Sequence, residues 1–69
     1  MGRDFKRSLT ITGHRTSLSL EPEFWDALTK AAAARNLSVA SLVAEIDNSR
    51  GDHNLSSAIR VWLLLETKT

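Results

Sequence analysis

Few of the 69 residues carry side chains suited to catalysis, and those few are scattered. The chain has no cysteine and no tyrosine, and Gly2, Gly13 and Gly51 stand apart, so no glycine-rich loop is present to cradle a phosphate. His14 and His53 fall in separate polar segments. No spacing sets a serine or aspartate beside either, and Ser17 with His14 is a combination rather than a motif. Asp52 and His53 need further ligands from elsewhere to hold a metal, and two histidines alone do not fill a structural zinc site. The expectation is a protein that is not an enzyme and that uses no cofactor and no metal.

A different chemistry lies in Arg15, Ser17 and Ser19, which alternate with Thr16, Leu18 and Leu20. A period of two reads as a strand with one apolar and one polar face. Two such strands, one from each of two chains, can pair antiparallel into a ribbon narrow enough for the major groove of DNA. Arginine can bond guanine in bidentate fashion there, and serine can donate or accept. Ser38, with the backbone amides of Val39 and Ala40 behind it, has the makings of a phosphate clamp at a helix start. Lys6 and Arg7 add further candidate phosphate contacts.

The elements that position these residues can be read in turn. From Lys6 to Leu20 the chain alternates polar and apolar residues, with Leu9 and Ile11 on one parity before Gly13 and Leu18 and Leu20 on one parity after it. Gly13 is either a turn between two strands or a bend within one. Pro22 opens a helix of about 22–35, with Glu21, Glu23 and Asp26 near its positive end and Phe24, Trp25, Leu28, Ala31 and Ala32 at helical spacing. Asn36 suits the left-handed residue that ends it. Ser38 caps a second helix, about 38–48, whose apolar face is Val39, Leu42, Val43 and Ile46. Asn54 or Ser56 caps a third, about 55–66, carrying Ala58, Ile59, Trp62 and Leu63, while Val61, Leu64 and Leu65 widen its apolar surface beyond one stripe.

Length allows one domain, residues 1–69, and sits below the roughly 70–80 residues at which a single core usually stabilises itself. Without cysteine, association is the remaining remedy, and the girth of the third helix argues the same way. A homodimer or higher homo-oligomer is expected, with Trp62 in the shared core. Residues 1–20 hold four basic residues (Arg3, Lys6, Arg7, Arg15) against Asp4, whereas residues 21–69 hold five basic against seven acidic. The positive field is thus concentrated at the front of the chain. No apolar run approaches the about 20 residues that cross a bilayer. The polar start, Met1 to Arg7, does not read as a signal peptide. A soluble, cytoplasmic protein with no membrane role is expected.

Thr16-Ser17-Leu18-Ser19-Leu20-Glu21-Pro22-Glu23-Phe24-Trp25, followed by Ala31-Ala32-Ala33-Ala34-Arg35-Asn36-Leu37-Ser38-Val39-Ala40-Ser41-Leu42-Val43, resembles a ribbon-helix-helix domain. Lys6-Arg7-Ser8-Leu9-Thr10-Ile11, Gly13-His14-Arg15-Thr16-Ser17 and Asn54-Leu55-Ser56-Ser57-Ala58-Ile59-Arg60-Val61 are similar to a group of short bacterial members, so the likeness spans residues 6 to about 65. The fold it implies is mainly α with a short β ribbon, an intertwined homodimer, here with an additional strand (Ser8 to Thr12) and an additional C-terminal helix. The function it implies is transcription regulation by a DNA-binding dimer, a repressor or antitoxin-like protein with double-stranded DNA as partner. Matched by position, the base readers fall on Arg15, Ser17 and Ser19, the phosphate anchor on Ser38 and Val39, and the dimer core on Leu18, Leu20, Trp25, Leu28, Leu42 and Ile46. Asn36 stands where the family usually has glycine. The additional strand either folds back beside Arg15 to Leu20 or extends the ribbon. The alternative function is an interaction or oligomerisation module of the same fold that does not bind DNA, its protein partner met by the third helix.

Overall fold

The computed structural model describes residues 5–51 and 54–67. Two antiparallel strands, β1 (Phe5–Ile11) and β2 (His14–Leu20), precede three helices, α1 (Pro22–Ala34), α2 (Val39–Ser49) and α3 (Leu55–Thr67). The strands form a hairpin within one chain, which decides between the two readings of Gly13. Its loop is Thr12-Gly13, with φ of 53° and 82°. Two central residues at positive φ are the requirement of a type I′ turn, whose twist matches that of paired strands. Glycine meets the requirement freely; a β-branched threonine does so under strain.

Each helix begins and ends for a local reason. Proline at its first position starts α1, and the Glu21 carbonyl accepts from the amides of Phe24 (2.9 Å) and Trp25 (3.1 Å). At its end Asn36 has φ 59°, the Leu37 amide donates to Ala32 O (2.9 Å) and the Asn36 amide to Ala33 O (3.1 Å). That pair of bonds is the Schellman closure, and Asn36 takes the glycine's part in it. Ser38 Oγ caps α2 by accepting from the Ser41 amide at 3.0 Å. Asn54 caps α3, its Oδ1 accepting from the Ser57 amide at 3.3 Å.

The helices cover one face of the hairpin. Ile11, Leu18 and Leu20 from the strands meet Trp25, Leu28, Ala32, Leu42, Val43, Ile46, Ile59 and Leu63 in one buried cluster. Leu18, Leu20, Trp25, Leu28, Leu42 and Ile46, expected between two chains, are thus at most 3% exposed inside a single one. Trp62, expected with them, is half-buried. The cause is the two additional elements: β1 supplies Ile11, and α3 supplies Ile59 and Leu63. The radius of gyration, 11.4 Å, is close to the about 11 Å of a compact chain of this length. Two ion pairs fasten α3 along α1, Arg60 to Glu21 at 3.0 Å and Arg35 to Glu66.

The turn yields a prediction. Thr12→Asn relieves the β-branched residue and raises stability by about 1 kcal/mol, whereas Gly13→Val lowers it by about 1–2 kcal/mol. Urea denaturation checks both signs, and a stabilising Gly13→Val would contradict the turn.

Candidate nucleic-acid interface

Burial of Leu18 and Leu20 fixes the parity of β2, so Arg15, Ser17 and Ser19 point away from the helices. Arg15 and Ser17 are exposed and Ser19 is half-buried. The hairpin register adds β1 residues to that face: Lys6 lies opposite Ser19, Ser8 opposite Ser17 and Thr10 opposite Arg15. All three are exposed. The face therefore carries two cations, four hydroxyls and no carboxylate. Ser8 and Thr10 join that face because the alternation of β1 sets them on the parity opposite Leu9 and Ile11.

The same register separates two residues that were expected to act together. Arg7 lies opposite Leu18, on the helix side of the hairpin, and its guanidinium sits 4.8 Å from the centroid of the Trp25 ring. Lys6 alone of the pair belongs to the outer face. The cause is the pleat, which sends successive side chains to opposite sides.

Most other described cations are likewise engaged. Lys30 pairs with Asp26 at 3.1 Å and Arg50 with Asp47. Arg35, paired with Glu66, also stacks over Trp62 at 4.9 Å; Arg60, paired with Glu21, lies 5.7 Å from the Phe24 ring centroid. Among the described residues, Lys6 and Arg15 are the cations with neither an ion-pair nor a ring partner. Their field is directed to solvent from one face of the ribbon.

Ser38 and Val39 stand apart from that face, at the start of α2. Ser38 is exposed, and its hydroxyl holds both the Ser41 amide and, at 2.9 Å, the Ser41 hydroxyl. Among the described residues no acceptor meets the amides of Val39 and Ala40. They point out of the positive end of the helix, where an anion is favoured. His14 closes the hairpin turn and is exposed. Asp52 and His53 lie outside the described residues, and among those described no group of three or more His, Cys, Asp or Glu is placed to hold a metal. No described helix is long and apolar enough to cross a membrane.

This geometry has counterparts among known proteins. The ribbon-helix-helix domain family matches residues 5–67, nearly the whole chain. The chain belongs to that family, whose fold is of the DNA-binding regulator type. Among solved structures it is similar to an uncharacterized protein from Bordetella pertussis Tohama I, with 33% identity and a TM-score of 0.81. The match covers 94% of this chain and 56% of the Bordetella chain. No curated protein matches.

The two faces of β1 behave differently on substitution. Arg7→Gln loses the contact with the Trp25 ring and about 0.5–1 kcal/mol of stability, while Lys6→Gln leaves stability unchanged. Thermal melts of the two variants decide it; the reverse ranking would place Arg7 outside.

Proposed function

We propose that the protein is a sequence-specific regulator that binds double-stranded DNA as a homodimer, inserting a two-stranded antiparallel ribbon into the major groove. It acts as a transcriptional repressor or an antitoxin-like protein in the bacterial cytoplasm. The single observation that carries this reading is the outer ribbon face, where Lys6 and Arg15 lack ion-pair and ring partners among the described residues and stand among hydroxyl side chains. Arg15 is the principal base reader, with Ser17 and Ser19 beside it. Lys6 contacts phosphate, and Ser38 with the Val39 amide clamps another phosphate. Arg7, held against Trp25, contributes to the ribbon's stability before it contributes to DNA.

The test is a pair of variants on a duplex selected from random DNA. Arg15→Ala relaxes preference at one base position by about 1–3 kcal/mol, whereas Lys6→Gln weakens every sequence and lowers the salt slope by about one unit. Equal losses on all sequences for Arg15→Ala would remove base readout from the account.

A second reading has its own observation. Val61, Leu64 and Leu65 remain 53%, 56% and 58% exposed on α3. An antiparallel contact with a second copy, centred on Val61, sets Leu65 against the partner's Ser57 and Leu64 against the partner's Ala58, large against small. The same face serves either the DNA-binding homodimer or a pure assembly module. Leu65→Glu, at an exposed site, abolishes self-association in sedimentation without lowering the melting temperature. A wild-type chain that stays monomeric at high concentration would overturn this contact.

A further inference from the structure

We infer that β1 lies along the DNA backbone, where the outward side chains of Lys6, Ser8 and Thr10 hold phosphates on each flank of the paired β2 strands. The inference rests on the DNA-binding reading, in which each of two chains gives its β2 to the ribbon. It goes beyond that reading by assigning a role to the additional strand.

The backbone of β2 has one edge filled and one open. β1 pairs with it from Phe5 opposite Leu20 to Ile11 opposite His14, and these two strands are the whole described sheet. The two-residue turn makes Ile11–His14 a hydrogen-bonded pair. His14, Thr16, Leu18 and Leu20 therefore aim their backbone groups at β1, while Arg15, Ser17 and Ser19 aim theirs at the open edge. A partner's β2 joined there gives the strand order β1–β2–β2–β1. Strands lie about 4.8 Å apart, so each β2 runs about 2.4 Å, and each β1 about 7 Å, from the middle of that sheet. The major groove is about 12 Å wide, which sets its rims about 6 Å from the middle. The β2 pair then faces base edges, and each β1 comes over a sugar-phosphate rim.

The side chains of β1 suit that place. Its outward residues, Lys6, Ser8 and Thr10, are one cation and two hydroxyls, all exposed. Among the described residues, neither the Ser8 nor the Thr10 hydroxyl has a hydrogen-bond partner. Both can donate to phosphate oxygens, contacts that fix register on the duplex and carry no base preference. The inward residues hold the strand still. Ile11 is buried, Leu9 packs against the core, and Arg7 lies 4.8 Å from the Trp25 ring centroid. The hydroxyls are thus in place before DNA arrives, which spares the cost of ordering them on binding.

Fluorescence anisotropy across a salt series, on a duplex selected from random DNA and on an unrelated one, tests this. Ser8→Ala and Thr10→Val each remove one hydroxyl at an exposed position, and melting temperatures check folding. Each variant is expected to weaken both duplexes by the same factor, about tenfold, because a dimer loses two contacts. Thr10→Lys is expected to steepen the salt dependence by about two units, one for each charge added at a phosphate. Asn48→Lys, exposed at the far end of α2 from Ser38, adds the same charge without that effect. A loss confined to the selected duplex would make β1 a base reader and overturn the proposal. Unchanged affinity in both hydroxyl variants, or equal slopes for Thr10→Lys and Asn48→Lys, would overturn it while DNA binding stands. If the unaltered chain holds neither duplex at low salt, the DNA-binding reading itself fails and takes this one with it.

Discussion

The burial of Leu18 and Leu20 is the constraint on which the rest of the structure depends. Both are essentially removed from water by the helices below them, each burial stabilising by about 1.5–3 kcal/mol. Because strand side chains alternate, a slip of one residue would bring Arg15, Ser17 and Ser19 into the core and is strongly opposed. The Thr12-Gly13 turn transmits this choice to β1, since a two-residue loop leaves a single register. Lys6, Ser8 and Thr10 are outward for the same reason that Leu18 is inward.

Charge follows the same division between an inner and an outer side. Arg60 and Arg35 join α3 to the two ends of α1, and their aromatic neighbours Phe24 and Trp62 use the same guanidinium groups. Half-exposed pairs of this kind contribute little stability each, but they consume positive charge where the chain is otherwise acidic. What is left over stands on the ribbon. A formal net charge of +1 therefore understates the field at the one described face with cations to spare.

Much of this was legible in the sequence, and for identifiable reasons. Pro22, Ser38 and Asn54 mark helix starts because each solves the problem of unpaired amides in its own way. Asn36 is readable as a left-handed terminator because few other residues tolerate that conformation. The outer position of Arg15 and Ser17 follows from alternation alone. Alternation also held the correct side for Arg7, whose parity is that of Leu9 and Ile11; it stays exposed while its guanidinium lies against the Trp25 ring. The closure of the core within one chain was not legible. A size argument counts residues but does not show how β1 and α3 pack onto the core.

The central claim is that the outer face of the hairpin meets DNA, and amide chemical-shift mapping of the labelled protein titrated with short duplex DNA at low salt tests it most directly. The account predicts shifts concentrated at residues 6–10 and 15–19, with a smaller set at Ser38 to Ala40 and none along Val61 to Leu65. No shifts at all, or shifts confined to α3, would contradict it.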